Sequence, residues 1–137
     1  MSNYFIILAS GQSKRFNSKK PKQYNIYEGK PLFKHSLDKA LKSKLFKKII
    51  IVVNKKKEIK GKFPKNVSII IGGKERSDSS LNALKFIKKN KPTNVLIHDA
   101  ARPNFSLLLL KRASWDILML FSSPFHDEIE GCCKALP

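Results

Sequence analysis

Two nearly continuous apolar runs constrain what this chain can fold into. Tyr4–Leu8 and Phe46–Val53 are rich in isoleucine and valine and lack the alternation of a strand with one wet face. Such runs are typical of strands in a parallel sheet that is covered on both faces. Two further segments, Val67–Ile71 and Asn94–His98, are also mostly apolar, so the sequence predicts four strands. We therefore expect a sheet that lies between two helical layers.

Helical patterns lie between the predicted strands. Lys30–Phe33 opens the first helix, with Pro31 suited to its first turn; one apolar face is formed by Leu32, Leu37, Ala40 and Leu41. Ser77–Lys89 is predicted as the second helix, capped by Ser77 or Asp78; its apolar face comprises Leu81, Leu84 and Ile87. Lys55–Lys65 is a basic linker with room for a short helix.

Alternating strands and helices predict an α/β fold with an open, mostly parallel sheet and right-handed crossovers. Ligands bind such sheets at the carboxyl ends of the strands. Three polar segments follow predicted strands here: Ala9–Arg15, Gly72–Asp78 and His98–Arg102. We expect them to converge on one edge and to form the functional site, with His98 itself a hydrogen-bonding residue at the strand end.

The segment after the first strand has the composition of a phosphate-binding loop. Leu8–Phe16 holds a glycine and small residues, and Pro21–Tyr24 follows it closely. Small residues let backbone N–H groups approach an anion. Arg15 and Lys22 add full positive charges where phosphate charge must be neutralised. This pattern favours a nucleoside triphosphate as ligand.

The bulk composition excludes several other classes. The formal net charge is +18, but 24 of the 28 basic residues are lysine and 4 are arginine, without interleaved aromatic residues. Base recognition depends on arginine and aromatic side chains, so no specific nucleic-acid partner is predicted.

No apolar run has the roughly 20 residues that cross a bilayer, and the N-terminus lacks the order of a secretory signal. We expect a cytoplasmic protein, and adjacent Cys132 and Cys133 imply no disulfide framework.

The composition changes sharply after residue 104. Lysine nearly vanishes, while the single Trp115 and both cysteines occur in this part of the chain. We therefore divide the chain into a nucleotide-binding α/β domain, 1–104, and a divergent segment, 105–137. The segment is either a terminal part of the same domain or a tail that does not belong to it.

Four segments together resemble the 2-C-methyl-D-erythritol 4-phosphate cytidylyltransferase family over about residues 4–104. They are Leu8-Ala9-Ser10-Gly11-x-x-x-Arg15-Phe16, Pro21-Lys22-Gln23-Tyr24, Gly72-Gly73-x-Glu75-Arg76-x-Asp78-Ser79 and His98-Asp99-Ala100-Ala101-Arg102-Pro103. The resemblance implies a Rossmann-like nucleotidyltransferase fold. It also implies a transferase of isoprenoid biosynthesis that joins CTP to a sugar-alcohol phosphate, releases pyrophosphate, requires Mg²⁺ and forms a homodimer at full length.

The resemblance also implies residue roles. Arg15 and Lys22 would be catalytic, because they would stabilise the negative charge that builds at the α-phosphorus. Asp99 would lie near the triphosphate and its Mg²⁺, and Arg102 would contact the acceptor. The residues implied in CTP binding are Ala9, Ser10, Gly11, Gln12, Ser13, Gly72, Gly73, Arg76, Ser79, Asp99 and Ala100.

Two departures from the family pattern leave alternatives open. Ser10 and Ser13 stand where the family usually has an alanine and a second glycine in the first loop. Family members are also much longer than 137 residues, so this chain would hold only part of the site. The alternatives are a cytidylyltransferase for another polyol phosphate and a truncated, non-catalytic, lysine-rich module that binds anions.

Overall fold

A computed structural model describes residues 2–11 and 21–112 and confirms the open α/β fold. Within these residues, a four-stranded parallel sheet has the order β5-β4-β1-β6. Its strands are β1 (Asn3–Ala9), β4 (Lys48–Val53), β5 (Val67–Ile71) and β6 (Asn94–Asp99). A small antiparallel hairpin, β2 (Ile26–Tyr27) and β3 (Lys30–Pro31), was not predicted. The helices are α1 (Leu32–Ser43) and α2 (Arg76–Lys88), with short 3₁₀ turns at Lys22–Tyr24 and Lys56–Glu58.

The central strands β1 and β4 are buried on both faces, as their apolar runs predict. Successive side chains point to opposite faces of a strand, so each strand feeds two cores. On one face, Phe5 and Ile51 pack in a cluster with Phe33 and Leu37 of α1. On the other face, Ile6 and Ile50 pack with α2. The burial of both faces therefore holds the two helices on opposite sides of the sheet.

The buried face of α1 differs from the predicted one. Phe33, Ser36, Leu37 and Ala40 are buried, whereas Leu32 is only partly buried. Pro31 lies outside the first helical turn, because it pairs with Ile26 across the hairpin. The helix begins at Leu32. Phe33, and not Leu32, faces the core.

The second helix contacts the sheet through part of the predicted face, Leu84 and Ile87, and through two small residues that were not predicted. Ser79, Ala83 and Ile87 are buried, Leu84 packs partly against the same cluster, and Leu81 is only half-buried. Small side chains at two of the buried positions allow close contact between helix and sheet. The N-cap is Glu75, not Ser77 or Asp78, and the Asp78 carboxylate accepts a hydrogen bond from the Glu75 N–H at 3.1 Å. This is the N3 half of a capping box.

The residues that directly follow the predicted division at residue 104 pack against α1. Phe105 and Leu110 are buried in the same cluster as α1, and the Lys39 Nζ donates to the carbonyl oxygen of Phe105 at 2.9 Å. Residues 107–112 are helical. The remaining predicted segment, 113–137, lies outside the described residues. Among the helices that the structure describes, none is long and apolar enough to cross a membrane.

Truncating Ile51 should destabilise the fold by about 2–5 kcal/mol, because Ile51→Ala leaves a cavity in a fully buried central strand. Ile71→Ala is the matched control, since Ile71 lies on the neighbouring edge strand and is 52% exposed. Its cost should stay within about 0.5 kcal/mol. Urea unfolding of both variants measures the difference, and equal losses would contradict the assignment of the core.

Candidate functional site

The carboxyl ends of the strands converge, as expected, on one edge of the sheet. β1 and β6 are in register with Leu8 opposite Asp99. The N–H of Gly72 donates to the carbonyl oxygen of Val53 at 2.8 Å, which holds the end of β5 beside β4. A cavity of about 470 Å³ opens at this edge. It is lined by Leu8, Ser10, Gly11, Lys22, Gln23, Lys74, Glu75, Arg76, Asp99, Ala101 and Arg102.

Gln23 fixes the loop that follows β1. Its side chain is 3% exposed, and its Nε2 donates to the carbonyl oxygens of Ala9 at 2.8 Å and Gly11 at 2.9 Å. An amide NH₂ has two hydrogens, so a single side chain satisfies both carbonyls. With these oxygens turned towards Gln23, the backbone near Ser10 is held in one conformation.

Tyr24 contacts the same loop but does not line the cavity. Its hydroxyl donates to a carboxylate oxygen of Glu58 at 2.8 Å and lies 3.3 Å from the carbonyl oxygen of Ala9. Burial, followed by the hydrogen bond to Glu58, raises the pKa of Tyr24 well above its usual value. The phenol therefore stays protonated and keeps donating.

Asp99 lies between two arginines at the end of β6. The Arg76 Nε donates to Oδ1 of Asp99 at 3.0 Å, and the Arg102 Nε lies 3.9 Å from Oδ2. Both guanidinium groups are largely exposed. The lining also contains Lys22 and Lys74, so four cationic side chains face two carboxylates, Asp99 and Glu75. The cavity is therefore suited to a polyanion.

Gly72 and Gly73 lie where no side chain fits. A Cβ on Gly72 would lie 2.4 Å from the Ser79 Oγ and 3.0 Å from the Cβ of Ser10. A Cβ on Gly73 would lie 2.2 Å from the Cβ of Asp78. The first turns of α2 consequently pack directly against this loop.

His98 is a structural residue on the opposite face of β6 from the cavity. Its ring stacks on Phe5 and meets the edge of Phe105, and its Nε2 donates to the carbonyl oxygen of Arg102 at 2.9 Å. Burial lowers the pKa of His98. This geometry agrees with the interpretation of His98 as a hydrogen-bonding residue at the strand end. Its hydrogen bond to the Arg102 carbonyl oxygen shapes the turn that carries Arg102.

The predicted site residues fall into three groups. Those brought together around the cavity are Ser10, Gly11, Lys22, Arg76, Asp99 and Arg102. Those that support it from behind are Ala9, Ser79 and Ala100, which are buried, and the partly exposed Gly72 and Gly73. Gln12, Ser13 and Arg15 lie outside the described residues.

Sequence reasoning missed several residues of the lining: Leu8, Gln23, Lys74, Glu75 and Ala101. All of them lie within or beside the segments that the sequence singled out. Gln23 belongs to the Pro-Lys-Gln-Tyr segment, but its side-chain direction cannot be read from the sequence. Within the described residues, no group of three or more histidine, cysteine, aspartate or glutamate side chains could hold a metal ion.

Comparison with known proteins points to one family. The family model of 2-C-methyl-D-erythritol 4-phosphate cytidylyltransferase (IspD) matches residues 4–114. A bifunctional IspD/IspF enzyme of Pelagibacter ubique is 59% identical over 114 residues, which are 82% of this chain and 31% of that protein. A 2-C-methyl-D-erythritol 4-phosphate cytidylyltransferase of Thermotoga neapolitana is 43% identical over 105 residues, which are 74% of this chain and 47% of that protein.

Solved structures agree with the sequence comparison. The bifunctional IspDF of Campylobacter jejuni superimposes with a TM-score of 0.70 at 33% identity, covering 82% of this chain and 29% of that one. A protein of Mycobacterium tuberculosis, solved as a complex with manganese, shares the fold with a TM-score of 0.61 at 17% identity, covering 82% of this chain and 57% of that one. The chain spans less than half the length of the two relatives compared by sequence.

The lowered pKa of His98 predicts how stability depends on pH. Because the folded pKa lies below the ordinary 6.5, the unfolded chain binds this proton at higher pH than the folded chain does. The free energy of unfolding should therefore fall as the pH drops from about 7 through 6.5, and the loss should level off below the folded pKa. His98→Gln should remove this part of the profile, and His35→Gln should keep it. Urea unfolding at several pH values tests this, and identical profiles for the wild type and His98→Gln would contradict it.

Proposed function

Because this chain belongs to the 2-C-methyl-D-erythritol 4-phosphate cytidylyltransferase family, we propose that it transfers a cytidylyl group from CTP to 2-C-methyl-D-erythritol 4-phosphate and releases pyrophosphate. The match over residues 4–114 carries the family assignment. The activity itself is a proposal, since the chain spans only part of the length of its relatives.

The convergence of distant segments on one cationic cavity supports the proposal best. Ser10, Lys22, Arg76 and Asp99 come from different parts of the chain and line the same space. About 470 Å³ is within the usual range for a small-molecule site. The excess of positive charge matches a triphosphate, and the Gly11 backbone borders the cavity where phosphates would approach.

In the proposed reaction, an oxygen of the acceptor phosphate attacks the α-phosphorus of CTP in line with the leaving group. The new P–O bond forms as the bond to the β-phosphate oxygen breaks, and pyrophosphate leaves. Arg15 and Lys22 would stabilise the negative charge that builds at the α-phosphorus, and Arg76 would help to hold the nucleoside. The protein contributes mainly by positioning and by charge stabilisation. Arg102, at the open side of the cavity, would bind the phosphate of the acceptor.

A divalent cation, which we propose to be Mg²⁺, would be held by Asp99. Mg²⁺ at nucleotide sites is usually held by one or two carboxylates together with substrate phosphates, and Asp99 offers one carboxylate at the cavity wall. The Arg76 guanidinium donates to one of its oxygens and the Arg102 guanidinium lies 3.9 Å from the other, so we expect both to turn away from Asp99 when the cation binds. When bound, the cation would screen the negative charge of the triphosphate.

Two further parts of the proposal depend on family membership alone. We propose a cytoplasmic enzyme and a homodimer for the full-length protein.

Calorimetry with CTP in Mg²⁺, together with a pyrophosphate-release assay in the presence of 2-C-methyl-D-erythritol 4-phosphate, tests the proposal. We expect CTP to bind more tightly than ATP at a fixed ionic strength, and pyrophosphate to be released only when the acceptor is added. An acceptor panel including ribitol phosphate tests the identity of the acceptor. Equal, strongly salt-dependent binding of CTP and ATP would instead indicate a lysine-rich anion binder.

Replacing Lys22 should weaken CTP binding about 10- to 100-fold, because Lys22→Gln removes a charge-assisted contact worth about 1.5–3 kcal/mol. Lys88→Gln is the matched control. It removes the same charge from the far end of α2, which does not line the cavity. Calorimetry at one salt concentration measures both. Equal losses would show that overall charge, rather than this site, drives binding.

A further inference from the structure

Lys39 of α1 reaches across to the turn that follows β6. Its Nζ donates to the carbonyl oxygen of Pro103 at 2.5 Å and to that of Phe105 at 2.9 Å, across 64 and 66 residues of sequence. Lys39 is partly buried and comes between Leu37 and Ala40 in the chain, both of which are buried against the sheet. The stem of this side chain therefore starts from a helix that the core keeps in place.

The contacts of the Lys39 ammonium group are concentrated on this one turn. An ammonium group has three N–H donors and no acceptor. Two of the donors are used by the two carbonyl oxygens, and the Nζ also lies 5.0 Å from the centroid of the Phe105 ring. Hydrogen bonds from a charged donor are stronger than neutral ones, and the face of an aromatic ring attracts a cation. Within the part of the chain that the structure describes, Lys39 forms no ion pair with a carboxylate.

The same turn is also held from β6. The His98 Nε2 donates to the carbonyl oxygen of Arg102 at 2.9 Å, and the Arg102 N–H donates to the carbonyl oxygen of Asp99 at 3.1 Å. Together with the ammonium group of Lys39, the imidazole binds three carbonyl oxygens of one short segment. The backbone of Arg102 is thereby fixed on the face of the sheet that α1 covers, whereas its largely exposed side chain lines the cavity.

We propose that Lys39 is a positioning residue for the acceptor, because it holds the turn that places Arg102 at the cavity. The inference rests on the proposed function, which assigns the phosphate of the acceptor to Arg102. Lys39 is not among the residues that line the cavity, so it acts through Arg102 without touching substrate. An exposed arginine side chain already has many rotamers, and a loosened turn would add further conformations. Each added conformation lowers the fraction of molecules that are ready to bind the acceptor.

The first test separates the two substrates in steady-state pyrophosphate release. Lys39→Met keeps an apolar stem and removes the ammonium group. The KM for 2-C-methyl-D-erythritol 4-phosphate should rise about five- to tenfold, as expected if Arg102 is held in place only about a tenth to a fifth of the time. The KM for CTP should change less than about twofold, because the Ala100 N–H stays bonded to the carbonyl oxygen of Leu8 in β1. An equal rise in both KM values, or no rise for the acceptor, would overturn the proposal.

Two variants control for charge and for packing. Lys39→Arg should restore most of the acceptor affinity, since a guanidinium group has enough donors for both carbonyl oxygens. Lys42→Met removes the same charge from an exposed position on the same helix and should behave like the wild type. A failure of Lys39→Arg to improve on Lys39→Met, or an equal effect of Lys42→Met, would contradict a role through the turn.

A double variant tests whether Lys39 acts through Arg102. Arg102→Gln removes the proposed contact with the acceptor and should raise the acceptor KM by itself. Adding Lys39→Met to Arg102→Gln should raise it by less than about a further twofold, because no guanidinium group remains to be positioned. Effects that multiply in the double variant would show that Lys39 acts independently, and the proposal would fail.

A readout without substrate separates this inference from the proposed function. In NMR relaxation of the unliganded protein, the order parameter of the Arg102 amide should fall from about 0.85 towards about 0.6 in Lys39→Met, and should stay high in Lys39→Arg and Lys42→Met. If it falls but the wild type releases no pyrophosphate with the acceptor, the proposed function fails and the hold of Lys39 on the turn stands. If the Arg102 amide keeps its order in Lys39→Met, the inference is refuted, whatever the kinetics show.

Discussion

The parallel pairing of β1 with both β4 and β6 is the constraint on which the rest of the structure depends. β1 is buried on both faces, so its backbone has no alternative partners in water and must be satisfied by its neighbours. Parallel pairing puts the carboxyl ends of neighbouring strands at one edge. For this reason three segments meet there: the loop after Ala9, the loop after Ile71 and the turn after Asp99.

The loop near this edge is shaped by buried polar side chains. Gln23 holds the carbonyl oxygens of Ala9 and Gly11, and Ser79 holds Ser10 and Gly73. A buried polar group without a partner is costly, so each of these contacts strongly favours one backbone conformation. The exposed side chains Arg76 and Arg102 have more freedom. The cavity thus combines a fixed backbone with adjustable charges, a combination suited to a polyanionic ligand.

The arginines at Asp99 illustrate this adjustability. The Arg76 guanidinium contacts the Asp99 carboxylate directly, and the Arg102 guanidinium lies at a longer distance from it. Exposed ion pairs of this kind contribute little to stability. The CTP that we propose as ligand would offer these guanidinium groups other acceptors in the same cavity. Exchange of partners within the cavity therefore requires little unfolding of the surrounding structure.

The amino-acid sequence by itself determined the fold class, the four strands and the three polar segments at their ends, because strand burial and strand–helix alternation leave a direct record in apolar pattern. It determined the helix faces only in part: Leu37, Ala40 and Ile87 are buried as predicted, whereas Phe33 and Ser36, and not Leu32, complete the buried face of α1. It also did not reveal that Gln23 and Ser79 support the cavity, or that Asp99 contacts two arginines. Apart from the pair Asp99 and Arg102, which are three residues apart, those relations join residues that are distant in the chain, and only tertiary packing decides which side chains come within hydrogen-bonding distance.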